Sequence, residues 1–432
     1  MRANFWNSFY GITAFGESHG TAIGVVLEDV KPGIDFPIDS IQQALNERKP
    51  GNKKFSSPRK EPDKITIISG VLDGKTTGMP ICLLVYNQDA KPKDYSHLEN
   101  LFRPAHADFS WYKKFKIFDH RGGGRASGRE TISRVAAGAA VEKILGNIKI
   151  SAYPIQIGKF KATNFDFPSN SLLWPDSGNL SDLENYLQQI AKSGNSIGGI
   201  VEMKISNIPS GLGDPVFEKL DANLSKAIIS LGSVKGIEFG KGFDLSNLTG
   251  KEANDEITSD TWLSNNCGGI LGGVSTGEEI ILRFVVKPTP SINIPQKTIT
   301  KDGKNIRFSS GGRHDTIIIP RLIPTAKAMV KLVLADAISH QKLISNQNLN
   351  INDFREAFDK IDEDILLALH RRKELSKQIG KWKKQQNIQI EDKERELRLF
   401  KDLLEKSKIL GVDSEMVKQI WEIIIKDSKQ QQ

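Results

Sequence analysis

The sequence predicts a mixed α+β domain followed by an all-α domain. Three observations carry that expectation. Residues 351–432 hold no proline and only two glycines, Gly380 and Gly411, whereas the other 35 of the 37 glycines and all 18 prolines lie upstream. Upstream, strand-like and helix-like runs alternate irregularly, without the βαβ rhythm of a doubly wound sheet. Downstream, Phe354, Phe358, Ile361, Ile365, Leu369 and Ile379 recur at helical spacing. A composition break of this kind marks a domain boundary. It divides the chain into 1–343, a polar join at 344–352 and 353–432.

In the large part, apolar and β-branched runs predict strands at 12–18, 23–30, 64–72, 80–87, 199–208 and 279–288. Apolar residues three and four apart predict helices at 38–48, 130–145, 215–231 and 323–339. In the small part the first helix begins at an N-cap, Asn352 or Asp353, and two more cover roughly 391–407 and 413–428. Gly411 and Asp413 supply the stop and start signals between those two.

Of the net charge of +8, residues 351–432 contribute one unit (18 Lys and Arg against 17 Asp and Glu), leaving +7 upstream. That surplus suits small anionic ligands without demanding nucleic acid. Cys82 and Cys267 stand far apart, outside any CxxC motif or disulfide framework, which points to a reducing compartment. The start MRANFWNSFY has no apolar signal core, and no run is long enough to span a bilayer. The expected location is the cytoplasm.

The densest chemistry lies in DHRGGGRASGRETISR, 119–134. Arg121, Arg125, Arg129 and Arg134 are fixed cations, and Gly122, Gly123, Gly124 and Gly128 allow close approach of backbone to an anion. The stretch runs into a helix-like segment, which argues against a disordered RG tail for RNA. His19 in GESHG and His106 in RPAHAD can exchange protons near neutral pH. GGRHD (311–315) adds Arg313, His314 and Asp315, and NNCGGILGG (265–273) and KPTPS (287–291) add backbone-rich loops. No metal-ligand spacing and no GxGxxG after a strand is present. The set suits a phosphate-bearing cofactor with an anionic substrate.

GESHG, RPAHAD, RGGGRASGRET, GDPVFEKLDANLSKAI, NNCGGILGG, KPT and GRHD, in order over about 5–340, resemble chorismate synthase. The resemblance implies a β-α-β sandwich-like core, a homotetramer, and elimination of phosphate from 5-enolpyruvylshikimate 3-phosphate with reduced FMN. It leaves open whether NADPH reduces that flavin on the protein. By similarity, His19 would protonate the leaving phosphate, His106 would protonate or stabilise the reduced flavin, and Asp315 would assist removal of the ring proton. Arg125, Ala126, Ser127, Glu252, Ala253, Gly272, Lys287, Pro288, Thr289, Pro290, Ser291 and Arg313 match flavin-contacting segments. Arg48 matches a substrate or nicotinamide-site arginine, and Lys54 stands where the family usually has a second one. Arg129 and Arg134 are candidates for substrate anions.

FREAFDKIDEDILLALHRRKELSKQIGKWK, EDKEREL and IIKDSKQQQ resemble the all-helical type of chorismate mutase, from Phe354 to Gln432. By similarity Arg355 and Arg372 would clamp the two carboxylates of chorismate, Lys383 and Gln432 would face the ether oxygen, and Glu396 with Asp392 would take the ring hydroxyl. Arg395 and Ser428 complete the matched positions. The implied reaction is chorismate to prephenate, with no cofactor. Arg355 and Lys383 are 28 residues apart, about 42 Å on a straight helix. One small ligand cannot touch both from one chain, so shared use predicts an intertwined dimer. The rival reading makes this segment a regulatory or oligomerising module. Partners on either reading are small anions and further copies of the chain, with no nucleic acid and no membrane.

Overall fold

The structure, a computed structural model, describes residues 4–6, 10–50, 54–56, 61–89, 92–310, 314–344, 351–386, 389 and 391–431. It forms two compact units, 1–345 and 346–432. No helix among the described residues is long and apolar enough to cross a membrane.

The first unit holds two five-stranded antiparallel sheets. One comprises β1 (Phe5–Trp6), β2 (Ile12–Gly16), β3 (Ala22–Leu27), β4 (Ile65–Ser69) and β5 (Ile81–Tyr86), in spatial order β1-β2-β3-β5-β4. The other comprises β6 (Lys149–Ile157), β7 (Phe160–Lys161), β8 (Gly199–Ser206), β9 (Val234–Phe239) and β10 (Ile280–Val286), in order β9-β10-β8-β6-β7. The helices are α1 (Ile38–Arg48), α2 (Asp108–Phe115), α3 (Thr131–Ala140), α4 (Leu180–Lys192), α5 (Leu220–Ile229) and α6 (Ile319–Ile344). Helix α3 packs on the first sheet and α6 on the second, and α1, α3 and α6 pack on one another between them. This is the β-α-β sandwich expected from the resemblance.

Alternation makes the inner faces. Ile23, Val25 and Leu27 on β3 and Ile81, Leu83 and Val85 on β5 are fully buried, as are Val201, Met203 and Ile205 on β8. Each such side chain contributes about 1.5–3 kcal/mol on leaving water. The layers close tightly at Gly138 of α3, where an added Cβ would lie 2.5 Å from the carbonyl oxygen of Ala328 on α6.

Several boundaries differ from the expectation. The run 64–72 is cut at Gly70 (φ +84), and its last two residues join a small hairpin, Val71–Leu72 with Lys75–Thr76. The helix expected at 130–145 ends at Ala140 and continues as a 3-10 turn, Glu142–Leu145. The helix expected from 215 begins at Leu220, because Val216 takes a left-handed turn (φ +66) and Lys219 is extended. Strands β6 and β9 and helices α2 and α4 were not legible: β6 carries Pro154 in its middle, which reads against a central strand.

The second unit is three helices: α7 (Ile351–Gln385), α8 (Lys393–Leu410) and α9 (Ser414–Gln430). Gly411 closes α8 in the left-handed region (φ +67), and the Asp413 side chain caps α9 by accepting from the Met416 amide at 2.7 Å. The expected N-cap at Asn352 or Asp353 is corrected, since both are already helical. Of the expected join, 345–350 lies outside the described residues.

Candidate active sites

In the first unit, loops from distant segments meet around a cavity of about 710 Å³, within the ~300–1,000 Å³ usual for small-molecule sites. Among the described residues eight cations line it: Arg48, Arg103, Arg125, Arg129, Arg134, Lys235, Lys287 and Arg321. Among the described residues only two carboxylates do, Glu130 and Asp315. A lining of this charge favours ligands with several negative groups.

The glycine run and the GESHG turn fit into each other. Gly122, Gly123 and Gly124 all have positive φ (59, 83 and 52), and the Ser18 amide donates to the Gly124 carbonyl at 3.3 Å. An added Cβ on Gly122 would lie 2.2 Å from Cε1 and Nδ1 of His19. Close approach there serves the histidine. His19 is 7% exposed and stands edge-on to Tyr95, with centroids 4.7 Å apart. Arg121, the first arginine of the run, pairs with Asp119 at 2.8 Å and does not line the cavity.

His106 is fixed at both nitrogens. Nδ1 lies 2.9 Å from the Pro104 carbonyl and Nε2 lies 2.9 Å from Ser291 Oγ. A carbonyl only accepts, so Nδ1 carries the hydrogen, and Nε2 of the neutral ring accepts from the serine hydroxyl. Burial first, and then the nearby Arg103 guanidinium, lowers the His106 pKa to about 4. The ring is therefore neutral at neutral pH. Lys287 Nζ donates to the Ala105 carbonyl at 2.9 Å, so the RPAHAD turn is tied to KPTPS at two points.

The arginines are held from behind. Both oxygens of the fully buried Asp63 are used: Oδ2 accepts from Arg48 Nη2 at 2.7 Å and Oδ1 from Arg129 Nη1 at 2.9 Å. Burial works to raise the Asp63 carboxyl, but Arg48 and Arg129 together outweigh it and hold it below the usual range. Burial pushes Arg48 down to about 10, against the opposing pull of Asp63. Glu61 lies 3.5 Å from Arg129 Nη2. Arg103 is gripped by Asp108 through two bonds of 2.7 Å. Arg321 pairs with Asp315 at 2.6 Å, and Thr289 Oγ1 donates to the Asp315 carbonyl at 2.6 Å. Arg134 reaches Glu130 at 3.1 Å and Ser230 Oγ at 2.6 Å. Arg125 donates to the carbonyls of Gly16 (3.2 Å) and Ala14 (3.3 Å), which fastens β2 to the glycine run.

Thus His19, His106, Asp315, Arg48, Arg125, Ala126, Ser127, Arg129, Arg134, Lys287, Thr289, Pro290 and Ser291 share one cavity. Others do not reach it. Lys54 is exposed and pairs with Glu184 at 2.9 Å. Glu252 caps the short helix Gly250–Ala253, accepting from the Thr249 amide at 2.8 Å. Gly272 (φ +60) sits at an open turn where a Cβ would meet nothing within 4 Å. Glu252, Ala253, Gly272 and Pro288 are all absent from the cavity wall. Arg313 lies outside the described residues.

In the second unit, α8 and α9 pack as an antiparallel pair and α9 also packs on α7. The Asp392 side chain caps α8 by accepting from the Arg395 amide at 2.9 Å. Glu396 pairs with Lys429 at 2.8 Å, Ser428 is buried, and Arg372 is half-buried. Arg372 Nε is buried with no hydrogen-bond partner among the described residues, and a nitrogen in that state calls for an acceptor. Lys383 is half-buried and Arg355 and Arg395 are exposed. Gln432 lies outside the described residues.

A family model for chorismate synthase matches residues 10–339. The chain belongs to the chorismate synthase family. The chorismate synthase of Agathobacter rectalis is 47% identical over 349 residues, covering 78% of this chain and 95% of that one. That of Desulfatibacillum aliphaticivorans is 45% identical over 346 residues, covering 79% and 97%. A crystal structure of a chorismate synthase matches with a TM-score of 0.61 at 26% identity, over 83% of this chain and 97% of that one. Residues 354–432 match the model for chorismate mutase type II. The chain is a bifunctional shikimate-pathway enzyme, a lyase that forms chorismate and an isomerase that rearranges it.

Family membership implies dependence on reduced flavin. The cavity fits that group: glycine backbone at Gly122, Gly123 and Gly128, the hydroxyls of Ser127, Thr289 and Ser291, and the surplus of cations suit a ring system bearing a phosphate. Sequence reasoning missed Asp63, Tyr95, Arg103, Asp108, Arg321 and Lys429. Arg103 and Asp108 bracket RPAHAD and were open to being found as a pair; Asp63, Arg321 and Lys429 stand in no motif.

Proposed function

We propose that the cavity binds 5-enolpyruvylshikimate 3-phosphate beside reduced FMN, with His19, His106 and Asp315 handling the protons. The convergence of these three groups, distant in sequence, on one cation-lined cavity carries the reading. Reduced FMN, when bound, supplies the electron density that helps phosphate to leave. The chain does the rest. Its arginines hold the substrate carboxylates and phosphate, and their ion-paired positions limit reorganisation. His19, almost fully buried, donates to the leaving phosphate. His106 Nε2 takes up a proton once a negative group lies beside it, because an anion offsets the burial and the Arg103 charge that keep the ring neutral. Asp315 accepts the ring proton, steadied by Arg321. Anaerobic assay with reduced FMN tests this: substrate left intact overturns it.

In this reading the flavin arrives already reduced. Arg48, tied by resemblance to a substrate or nicotinamide site, lies buried on Asp63, whereas Lys54, at the position of a possible second nicotinamide contact, is exposed on Glu184. NADPH with catalytic FMN should give no turnover until a reductase is added; turnover without it would restore NADPH as a cofactor.

The helical unit rearranges chorismate as a dimer of such units. Arg372 offers a buried donor with no partner among the described residues, and α7 leaves Phe358, Ile361, Ile365, Leu366 and Trp382 more than half exposed. A second α7 would cover these residues and bring Arg355 to the site of its partner. Glu252, Ala253 and Gly272, if they contact flavin, contact that of another subunit, in keeping with a homotetramer. Small soluble substrates and the free thiols Cys82 and Cys267 fit the cytoplasm.

A further inference from the structure

We propose that Lys429 is a positioning residue of the mutase site, tying the end of α9 to the start of α8. The inference rests on the reading of Glu396 as the acceptor for the ring hydroxyl. Lys429 Nζ lies 2.8 Å from Glu396 Oε1 and 2.9 Å from Glu391 Oε1. Glu391 directly precedes Asp392, the N-cap of α8, and Glu396 falls in the first turn of that helix. Lys429 falls in the last turn of α9. One ammonium thus spans two carboxylates on either side of a helix start. Helix polarity favours the arrangement at both ends, since acidic groups suit the N-terminus of α8 and a cation suits the C-terminus of α9.

The bridge lies at the surface, with side-chain exposures of 33% for Lys429, 55% for Glu391 and 28% for Glu396. Exposed pairs of this kind add little to folding. What this one determines is location. It takes Oε1 of Glu396 and leaves Oε2, which makes no other hydrogen bond among the described residues, to receive a hydroxyl. It also fixes the turn that carries Ser428, the buried neighbour in sequence. Glu396 with Asp392 comes from the start of one helix and Ser428 from the end of another, so the bridge sets the register between the two halves of one site.

The test uses the full-length protein and measures mutase and synthase turnover in Lys429→Met and Lys429→Arg. Lys429→Met should raise the mutase KM about 10-fold with kcat within about 3-fold, the mark of lost uniform binding. Lys429→Arg should recover most of the loss, and the synthase and the melting temperature should not move. An unchanged KM in Lys429→Met overturns the proposal, as does equal damage by both variants with a lowered melting temperature, which would make the bridge merely structural. Glu396→Gln and Arg372→Ala serve as references. If they too leave the mutase intact, the site assignment fails; if they abolish it while Lys429→Met is normal, only the role of Lys429 fails.

Discussion

The two catalytic units handle the same kind of ligand, a small polyanion, in opposite ways. The synthase unit builds its cation wall inside one compact sandwich, and fixes each arginine with a carboxylate or carbonyl behind it: Asp63 for Arg48 and Arg129, Asp108 for Arg103, the carbonyls of Gly16 and Ala14 for Arg125. Among its described residues the mutase unit buries only Val417 and Ile425 of its apolar side chains. Its 35-residue helix α7 leaves its apolar stripe exposed, and a buried nitrogen of Arg372 has no acceptor among the described residues. A layered fold can preorganise charges within a chain. A three-helix unit of this size offers less interior for that, and in the proposed dimer it would borrow a surface.

The comparison can be broken most sharply at the histidines. His19→Ala and His106→Ala should each lower synthase turnover by about 10²–10⁴-fold with the mutase unaffected; near-normal synthase rates would remove proton transfer from these groups. Next comes Gly122→Ala. A methyl group 2.2 Å from the His19 ring must push it aside, and a displacement of that order costs about 10²-fold. If Gly122→Ala keeps its rate, His19 does not need the place it occupies.

Asp63→Asn probes the wall itself. Breaking a buried pair costs about 3–5 kcal/mol, to be read from denaturant unfolding of the synthase unit. The sign with pH follows from the lowered carboxyl of Asp63. Its contribution is complete above the unfolded value of ~3.9 and is lost as pH falls through the still lower folded value. The wild type should therefore lose stability on acidification more steeply than Asp63→Asn; parallel curves would show that Asp63 is not ionised in the fold. The smallest signal is a partial recovery in the mutase. Arg355→Ala and Lys383→Ala should each be inactive alone, yet mixed and refolded together they should regain about a quarter of wild-type activity, because half of random dimers are mixed and each mixed dimer keeps one whole site. No recovery would make each site the property of one chain.

Legibility in the sequence followed the same divide. The three helices of the mutase unit announced themselves through apolar spacing and the Gly411–Asp413 break, and their ends fell within three residues of expectation, apart from a first helix that begins earlier than its supposed cap and runs on to Gln385. In the synthase unit the motifs named most of the cavity wall, because GESHG, RPAHAD, RGGGR and KPTPS are local in sequence. What they could not name were the groups acting from behind. Asp63 reads as one more charge in a loop, and its meaning arises only where α1 and the turn before α3 meet. Arg321 and Lys429 were invisible for the same reason: each acts through a partner on another element or turn. The cut at Gly70 and the left-handed Val216 were missed because apolar periodicity carries no information about φ.

Asp63 has a consequence for the pace of the cycle. A wall of eight bare cations would hold a liberated phosphate ion tightly and stall the enzyme after each turnover. Because Arg48 and Arg129 are already half-satisfied by a permanent internal anion, phosphate and substrate alike would meet a weaker field in the proposed site, and the substrate's carboxylates would add further grips. In that site, discharge of the spent ion would be eased by a residue buried behind the wall.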